Sequence, residues 1–435
     1  MSHSDSRTER PDIIAMVERR KDGFSLEAPF YTSQEVYDLD MDLIFGRHWL
    51  FVATEAEIPE AGDYVTINVG RSSVIIVRDD DETVQGLHNV CRHRGARILE
   101  DPCGSVGNLV CPYHQWTYGT DGNLRFAEGQ AADFDRQQFG LKPVHVRTVA
   151  GLIFMCLADE PPADFDEVAS VIEQYLSPYK LQDTKVAHQI DLVEGGNWKL
   201  VMENNRECQH CDVSHPELLE AYFPFNRYSE DDVPARMRPL FERYQAAEAR
   251  LMSACSLTTI PLETHRELDS RPTGYQISHL PLDGDGASFG PAGQQLSRKL
   301  IGDITDPAFG DMSLHMQPNS WFHMLSDHAV VFSALPVAPD KTLVRTTWLV
   351  HADAAEGVDY DIDALTETWR ATNAQDRELV EKAHRGAADP AYEPGPYALV
   401  EDDVEAFIAW YVGRLRGYLD IRPDHLGLLT RASGQ

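Results

Sequence analysis

The spacing of hydrophobic positions changes along this chain, and the change divides it. From Trp49 onward the runs are short: residues 64–69 alternate apolar with polar, and 73–77 form a β-branched run. Asp79, Asp80 and Asp81 mark a turn before another run at 84–90, and the block closes near 151–157. Residues 45–160 therefore read as a β-rich domain, ended by Glu160-Pro161-Pro162. Ahead of it, residues 1–44 read as an arm, with helical character around 33–45. Beyond it, 161–435 reads as a mixed domain in which helical periodicity at 164–178, 197–213, 236–253, 361–385 and 401–419 alternates with strands. Segments 329–335 and 343–350 predict an antiparallel hairpin, and the glycine-rich 283–293 predicts a flexible loop or lid. The fold class expected from these elements is α+β.

Composition narrows the function classes. With 435 residues, 43% of them hydrophobic and 25% charged, the chain can bury a sizeable core in two or three domains. Thirty-eight Lys plus Arg against 70 Asp plus Glu give a net charge of −32, which argues against nucleic acid and anionic membrane as partners. No apolar run has the length of a membrane span. The start, 1–11, is polar without a hydrophobic region behind it, so no secretory signal is expected. The seven cysteines (91, 103, 111, 156, 208, 211 and 255) are odd in number and irregularly spaced, which argues against a disulfide framework and for the cytosol.

Four residues carry the sharpest chemistry. Cys91-Arg-His93 is followed, after seventeen residues, by Cys111-Pro-Tyr-His114. Each arm offers one thiolate and one imidazole, whereas a zinc finger usually takes two Cys from one arm and two His from the other. Mixed arms suit two irons, with both cysteines on one and both histidines on the other, as in a Rieske [2Fe–2S] cluster. Gly95 would let the backbone turn closely under a cluster, and Pro112 would stiffen the second loop. A mixed Cys/His zinc site is the alternative. With the neighbours Arg94-Gly95-Ala96 and Gln115-Trp116-Thr117-Tyr118, the pattern resembles the Rieske domain of the ring-hydroxylating oxygenase superfamily.

A second constellation lies at 197–216. His210 and His215, five apart, would not share a face on a straight helix, so their convergence needs a break, which Pro216 can supply. The expectation is that His210 ends one helix and His215 precedes another. A non-haem iron facial triad would add a carboxylate. Asp376 is the candidate, sharing a helix face with Trp369, Asn373, Leu379, Val380 and Ala383. A buried, hydrogen-bonded Asp is the alternative reading of that stripe.

The run Glu203-Asn204-Asn205-Arg206-Glu207-Cys208-Gln209-His210-Cys211, with 348–360 and 392–397, resembles Rieske non-haem iron oxygenases acting on quaternary amines, over most of 30–420. That resemblance implies a β-rich Rieske domain beside a helix-grip catalytic domain built on an antiparallel sheet. It implies His210, His215 and Asp376 as ligands of a mononuclear iron. It also implies Glu207 as a carboxylate linking His210 to the His114 of a neighbouring subunit in a homotrimer, on nearly the same helix face as His210. The alternative for Glu207 is a surface salt bridge to Arg206, and Asn204 is a further candidate for the same site. The implied activity is N-demethylation of a betaine using O2 and electrons from a ferredoxin- or flavin-type NAD(P)H reductase. Carnitine, choline, proline betaine or an aromatic acid are the alternative substrates, and an electron-transfer protein with a degenerate second site is the alternative class. Phe223, Phe225, Trp321 and Phe322 are the aromatic candidates for holding a trimethylammonium head. Gln209 stands where the branch often has Tyr.

Overall fold

A computed structural model describes residues 12–223, 233–256, 258 and 260–419. Its first sheet has seven antiparallel strands and explains the β-branched run. In the strand Ser72–Arg78, successive side chains alternate between faces. Val74 and Ile76 face the main core, while Ile75 and Val77 face a second cluster that includes Cys91, Cys111, Trp116 and Tyr118. A strand covered on both sides must be apolar throughout, so the alternation seen at 64–69 is lost here. A small three-stranded sheet, Leu109–Val110, Thr117–Tyr118 and Leu124–Phe126, completes this β-rich part.

The second seven-stranded antiparallel sheet runs from Thr184–Glu194 through the predicted hairpin to His265–Glu267. The hairpin is present as His328–Ala338 and Lys341–His351, in register with Ala329 opposite Leu349 and Leu335 opposite Leu343. The long helix Ile362–Ala387 packs against the strand Thr184–Glu194 and the short helix Trp198–Asn205. The architecture is thus α+β, a β-rich domain beside a sheet-and-helix domain, as expected.

Two segments are held more firmly than their sequences suggest. The glycine-rich 283–293 is a hydrogen-bonded turn, with Asp285 N–H donating to Ala292 O at 2.9 Å and Ala287 N–H to Gly293 O at 2.9 Å. Gly293 has φ +75°, and a Cβ there would stand 2.1 Å from Asp283 O, so this glycine serves close packing, not mobility. The described part of the N-terminal arm is likewise built into the core. Its helices Ile13–Arg19, Ala28–Thr32 and Gln34–Asp40 and the turn Met41–Phe45 bury Val17, Phe30, Tyr31, Ile44 and Phe45.

Several contacts tie the arm down, among them Tyr31 donating to Glu203 and a buried carboxylate of the arm itself. Asp40, fully buried, forms an ion pair with the equally buried Lys199. It also accepts from Trp198 Nε1 at 2.9 Å and from the Tyr411 hydroxyl at 2.7 Å. A buried charge is tolerable only when so satisfied. Asp40→Ala would leave the Lys199 ammonium alone in the core, and the expected cost is about 3–5 kcal/mol. The check is chemical denaturation followed by circular dichroism, and an unchanged midpoint would contradict this account.

Candidate functional site

The two cysteine loops share one backbone form. Cys91 N–H donates to Ala96 O and Gly95 N–H to Cys91 O, at 2.8 and 2.9 Å. In the second loop Cys111 N–H donates to Trp116 O and Gln115 N–H to Cys111 O, at 2.9 and 3.0 Å. In each, the fourth residue after the cysteine is left-handed: Gly95 at φ +75° and Gln115 at φ +57°. A Cβ on Gly95 would meet only Val90 Cγ1 at 4.0 Å, so the turn, and not close contact, selects glycine. Gln115 adopts the same conformation at a cost of roughly 1–2 kcal/mol.

The loops sort their donors by depth. Cys91 and Cys111 are 2% and 1% exposed, while His93 is exposed and His114 half-buried, with ring centroids 4.6 Å apart. Thiols inside and imidazoles outside fit a cluster with one Cys-bound and one His-bound iron. Trp116 stacks on His93 at 5.0 Å with the rings 4° from parallel. Tyr118 adds a contact the sequence did not advertise. Its hydroxyl accepts from Arg92 N–H at 3.0 Å and lies 3.3 Å from Cys91 Sγ, which as a cluster-bound thiolate could only accept its proton.

The second site depends on a helix ending early. Asn197 caps the helix Trp198–Asn205 by accepting from Lys199 N–H, but the helix expected over 197–213 stops at Asn205. Arg206 causes this locally: its buried guanidinium donates to Met316 O and Gln317 Oε1, both at 3.1 Å. That contact also removes the alternative of an Arg206 salt bridge for Glu207. His210 therefore does not end a helix. It sits before the short turn Cys211–Ser214, and His215 follows that turn with φ −125° and ψ 67°, the extended side demanded by Pro216. The two Nε2 atoms converge to 3.0 Å.

Glu207 reaches His210 through this turn and not along a helix face. Its Oε2 accepts from Gln209 N–H, and its Oε1 accepts from His210 Nδ1. From the long helix, Asp376 Oδ1 comes within 3.3 Å of His210 Nε2 and 3.0 Å of His215 Nε2. On its stripe Trp369, Asn373 and Val380 are buried, while Ala383 is exposed. Burial opposes charge on His210, but Asp376 and Glu207 outweigh it and hold the imidazole up at about 9. Asp376 is buried too, yet the two histidines hold its carboxyl below the usual range.

This donor set fits a cation. His215 Nδ1 is engaged by Gln375 Oε1 at 2.8 Å, and Gln375 Nε2 donates to Glu217 Oε2 at 2.8 Å, which fixes the amide orientation. Both Nδ1 atoms thus face acceptors, which turns both Nε2 atoms toward each other and toward Asp376, where they can ligate a metal once deprotonated. The buried Asp376 Oδ1 has no hydrogen-bond partner of good geometry. Two ring nitrogens and a carboxylate oxygen so close need positive charge among them, which a proton or a metal ion can supply. Gln375 and Glu217 were missed, although each lies within two residues of a predicted ligand.

A cavity of about 880 Å³ opens beside these donors, and Asn204 and Gln209 line it. Its aromatic walls are Trp369, Tyr222 and Tyr244; Glu248 also lines it, as do Asp402 and Asp403, which pair with Arg266. The expected aromatic residues lie elsewhere: Trp321 stacks on Phe332 at 5.0 Å, Phe322 meets Phe51 at 4.7 Å, and Phe223 packs edge-on against the outer side of Tyr244. Phe225 falls outside the described residues. On the strand Ser320–Met324 it is His323 that lines the cavity. A further departure is a disulfide between Cys208 and Cys211, local enough to escape the argument against a framework.

If the Tyr118 proton stabilises charge on the Cys91 sulfur, Tyr118→Phe lowers the reduction potential of the cluster. Redox titration of the cluster signal is the measurement, and an unchanged or raised potential would refute the contact.

Known proteins bear on both sites. Residues 48–144 match the Rieske [2Fe–2S] domain, and 181–417 match the ring hydroxylating alpha subunit catalytic domain. The glycine betaine monooxygenase oxygenase subunit of Pseudomonas aeruginosa is 42% identical over 413 residues, 94% of each chain. Its counterpart in Chromohalobacter salexigens is 41% identical over 416 residues, 95% of this chain and 91% of the relative. A solved quaternary ammonium Rieske monooxygenase, CntA with γ-butyrobetaine, superposes with TM-score 0.65 at 19% identity, covering 92% of this chain and 98% of that one; this likeness concerns the fold. The chain belongs to the Rieske non-haem iron oxygenases, as an alpha subunit with a [2Fe–2S] cluster and a mononuclear iron.

Proposed function

We propose that this chain is the oxygenase subunit of a two-component glycine betaine monooxygenase. The observation that carries the proposal is similarity at 42% identity along 94% of the chain to a subunit of that activity. In the reaction one oxygen atom enters an N-methyl C–H bond, and the other leaves as water with two electrons and two protons. The N-hydroxymethyl product then breaks its C–N bond to give formaldehyde, dimethylglycine and a proton.

In this reading Cys91, His93, Cys111 and His114 hold the cluster, and His210, His215 and Asp376 hold the iron. When bound, the cluster supplies single electrons and the iron supplies dioxygen activation. The chain's own part is positional. Glu207 and Gln375 fix the rings of His210 and His215 with Nε2 toward the metal. Trp369, Tyr222 and Tyr244 offer aromatic faces to a trimethylammonium group, which cannot donate hydrogen bonds. Asn204, on the last turn before the break, lines that cavity as a polar contact. Electrons arrive from a ferredoxin- or flavin-type NAD(P)H reductase, and the half-buried His114 is their exit to the Glu207 of a neighbouring subunit in a homotrimer. The cytosol is the proposed compartment. No helix among the described residues is long and apolar enough to cross a membrane. The size of the cavity also favours testing a longer quaternary amine, carnitine, as the second reading.

The deciding experiment supplies purified protein with reductant and oxygen and measures formaldehyde from glycine betaine, proline betaine, carnitine, choline and an aromatic acid. Glycine betaine should give the most product, and silence on every quaternary amine would remove the proposal. Glu207→Gln keeps an acceptor for His210 but loses the carboxylate. It should retain both metals by iron analysis while turnover falls roughly 10–100-fold. Turnover near that of the parent would show that Glu207 links nothing.

A further inference from the structure

We propose that Cys208 and Cys211 form a thiol–disulfide redox site controlling how firmly His210 is held. The bond closes a ring around Gln209 and His210, in the segment between the end of one helix and the start of the next turn. Apart from the bond, this segment is held by the Glu207 carboxylate, by a Cys211 N–H to Cys208 O hydrogen bond at 3.3 Å, and by Val213 and Ser214 N–H donating to His210 O at 3.2 and 3.1 Å. Opening the disulfide therefore removes the one covalent restraint on a loop that presents a metal ligand. The inference does not depend on which amine is the substrate.

Geometry gives the pair a route to reductant. Cys208 is half-buried and lines the cavity beside the exposed Gln209, whereas Cys211, which lines it too, is 4% exposed. A thiolate of a small dithiol can attack the Cys208 sulfur and expel the Cys211 sulfur. The second thiol of the reagent then attacks the mixed disulfide and releases Cys208. The dithiol loses two electrons and two protons and becomes a disulfide, and the protein gains two thiols. Such pairs in a reducing compartment are usually redox-sensing and not structural. Opening has a second effect. Cys211 Sγ lies 4.0 Å from His210 Nε2, and Cys211, His210 and His215 bring donor atoms within 4.8 Å of one another. While closed, the disulfide keeps this soft sulfur from competing with Asp376 for the ion.

The test uses iron-loaded holoenzyme. Thiols are alkylated under denaturing conditions before and after dithiothreitol, and the tryptic peptide 207–227, which holds both cysteines, is weighed. The peptide should be unalkylated first and doubly alkylated after reduction. Release of the mononuclear iron to a ferrous chelator should quicken roughly tenfold on reduction, the scale set by closing a short loop. The [2Fe–2S] absorption should not change. Cys208→Ser should release iron at the reduced rate with or without dithiothreitol, which separates loop opening from direct stripping by the reagent. If that variant does not fold, Cys211→Ser, which also cannot close the bond, takes its place in the same comparison. A peptide doubly alkylated even after incubation with oxidised glutathione, or equal release rates in both states, would overturn the proposal.

Discussion

Two imidazole nitrogens and a carboxylate oxygen within 3.3 Å of one another cannot persist without positive charge among them, and much of the catalytic domain is arranged around that constraint. The helix Trp198–Asn205 must stop so that His210 and His215 can turn toward each other. Arg206 provides the stop by committing its guanidinium to the strand region at Met316 and Gln317. Glu207 and Gln375 then hold the ring protons on the outer nitrogens. The sheet provides a floor on which the long helix can present Asp376 at the right height.

The cluster half obeys a different rule, sorting by depth. The strand Ser72–Arg78 is apolar on both faces, so one core supports the sheet from below while another supports the cysteine loops from above. The sulfurs lie in the second core, and the imidazoles stay at the rim where a partner can reach them. Electron transfer across a molecular boundary asks for that order.

Local features were legible in the sequence. The C-x-H and C-x-x-H arms, the β-branched run, the hairpin and the helical stripe of Asp376 all follow from neighbours a few residues apart. The failures have distant causes. The early helix end at Arg206 is decided by residues 110 positions away. Trp369 was read only as part of an apolar stripe, because its exposure to the cavity depends on where His323 and Phe332 pack. Phe223, Trp321 and Phe322 pack away from the cavity for the same reason: periodicity gives a face but not what covers it. Gln375 and Glu217 had no pattern of their own, and the Cys208–Cys211 pair was hidden by counting cysteines over the whole chain.

The knot at Asp40 has a bearing on how the molecule is made. Asp40 and Tyr411 are 371 residues apart, so the catalytic core draws on both ends of the chain. Its long-range contacts cannot close while the ribosome still holds the last helix. The core around the cysteine loops is drawn from residues 64–141 alone, on strands that pair within 50–156. The order of synthesis therefore places the cluster pocket ahead of the iron pocket. Until the helix Asp402–Tyr418 emerges, the nascent chain can complete the cluster pocket but not the core that supports the iron pocket.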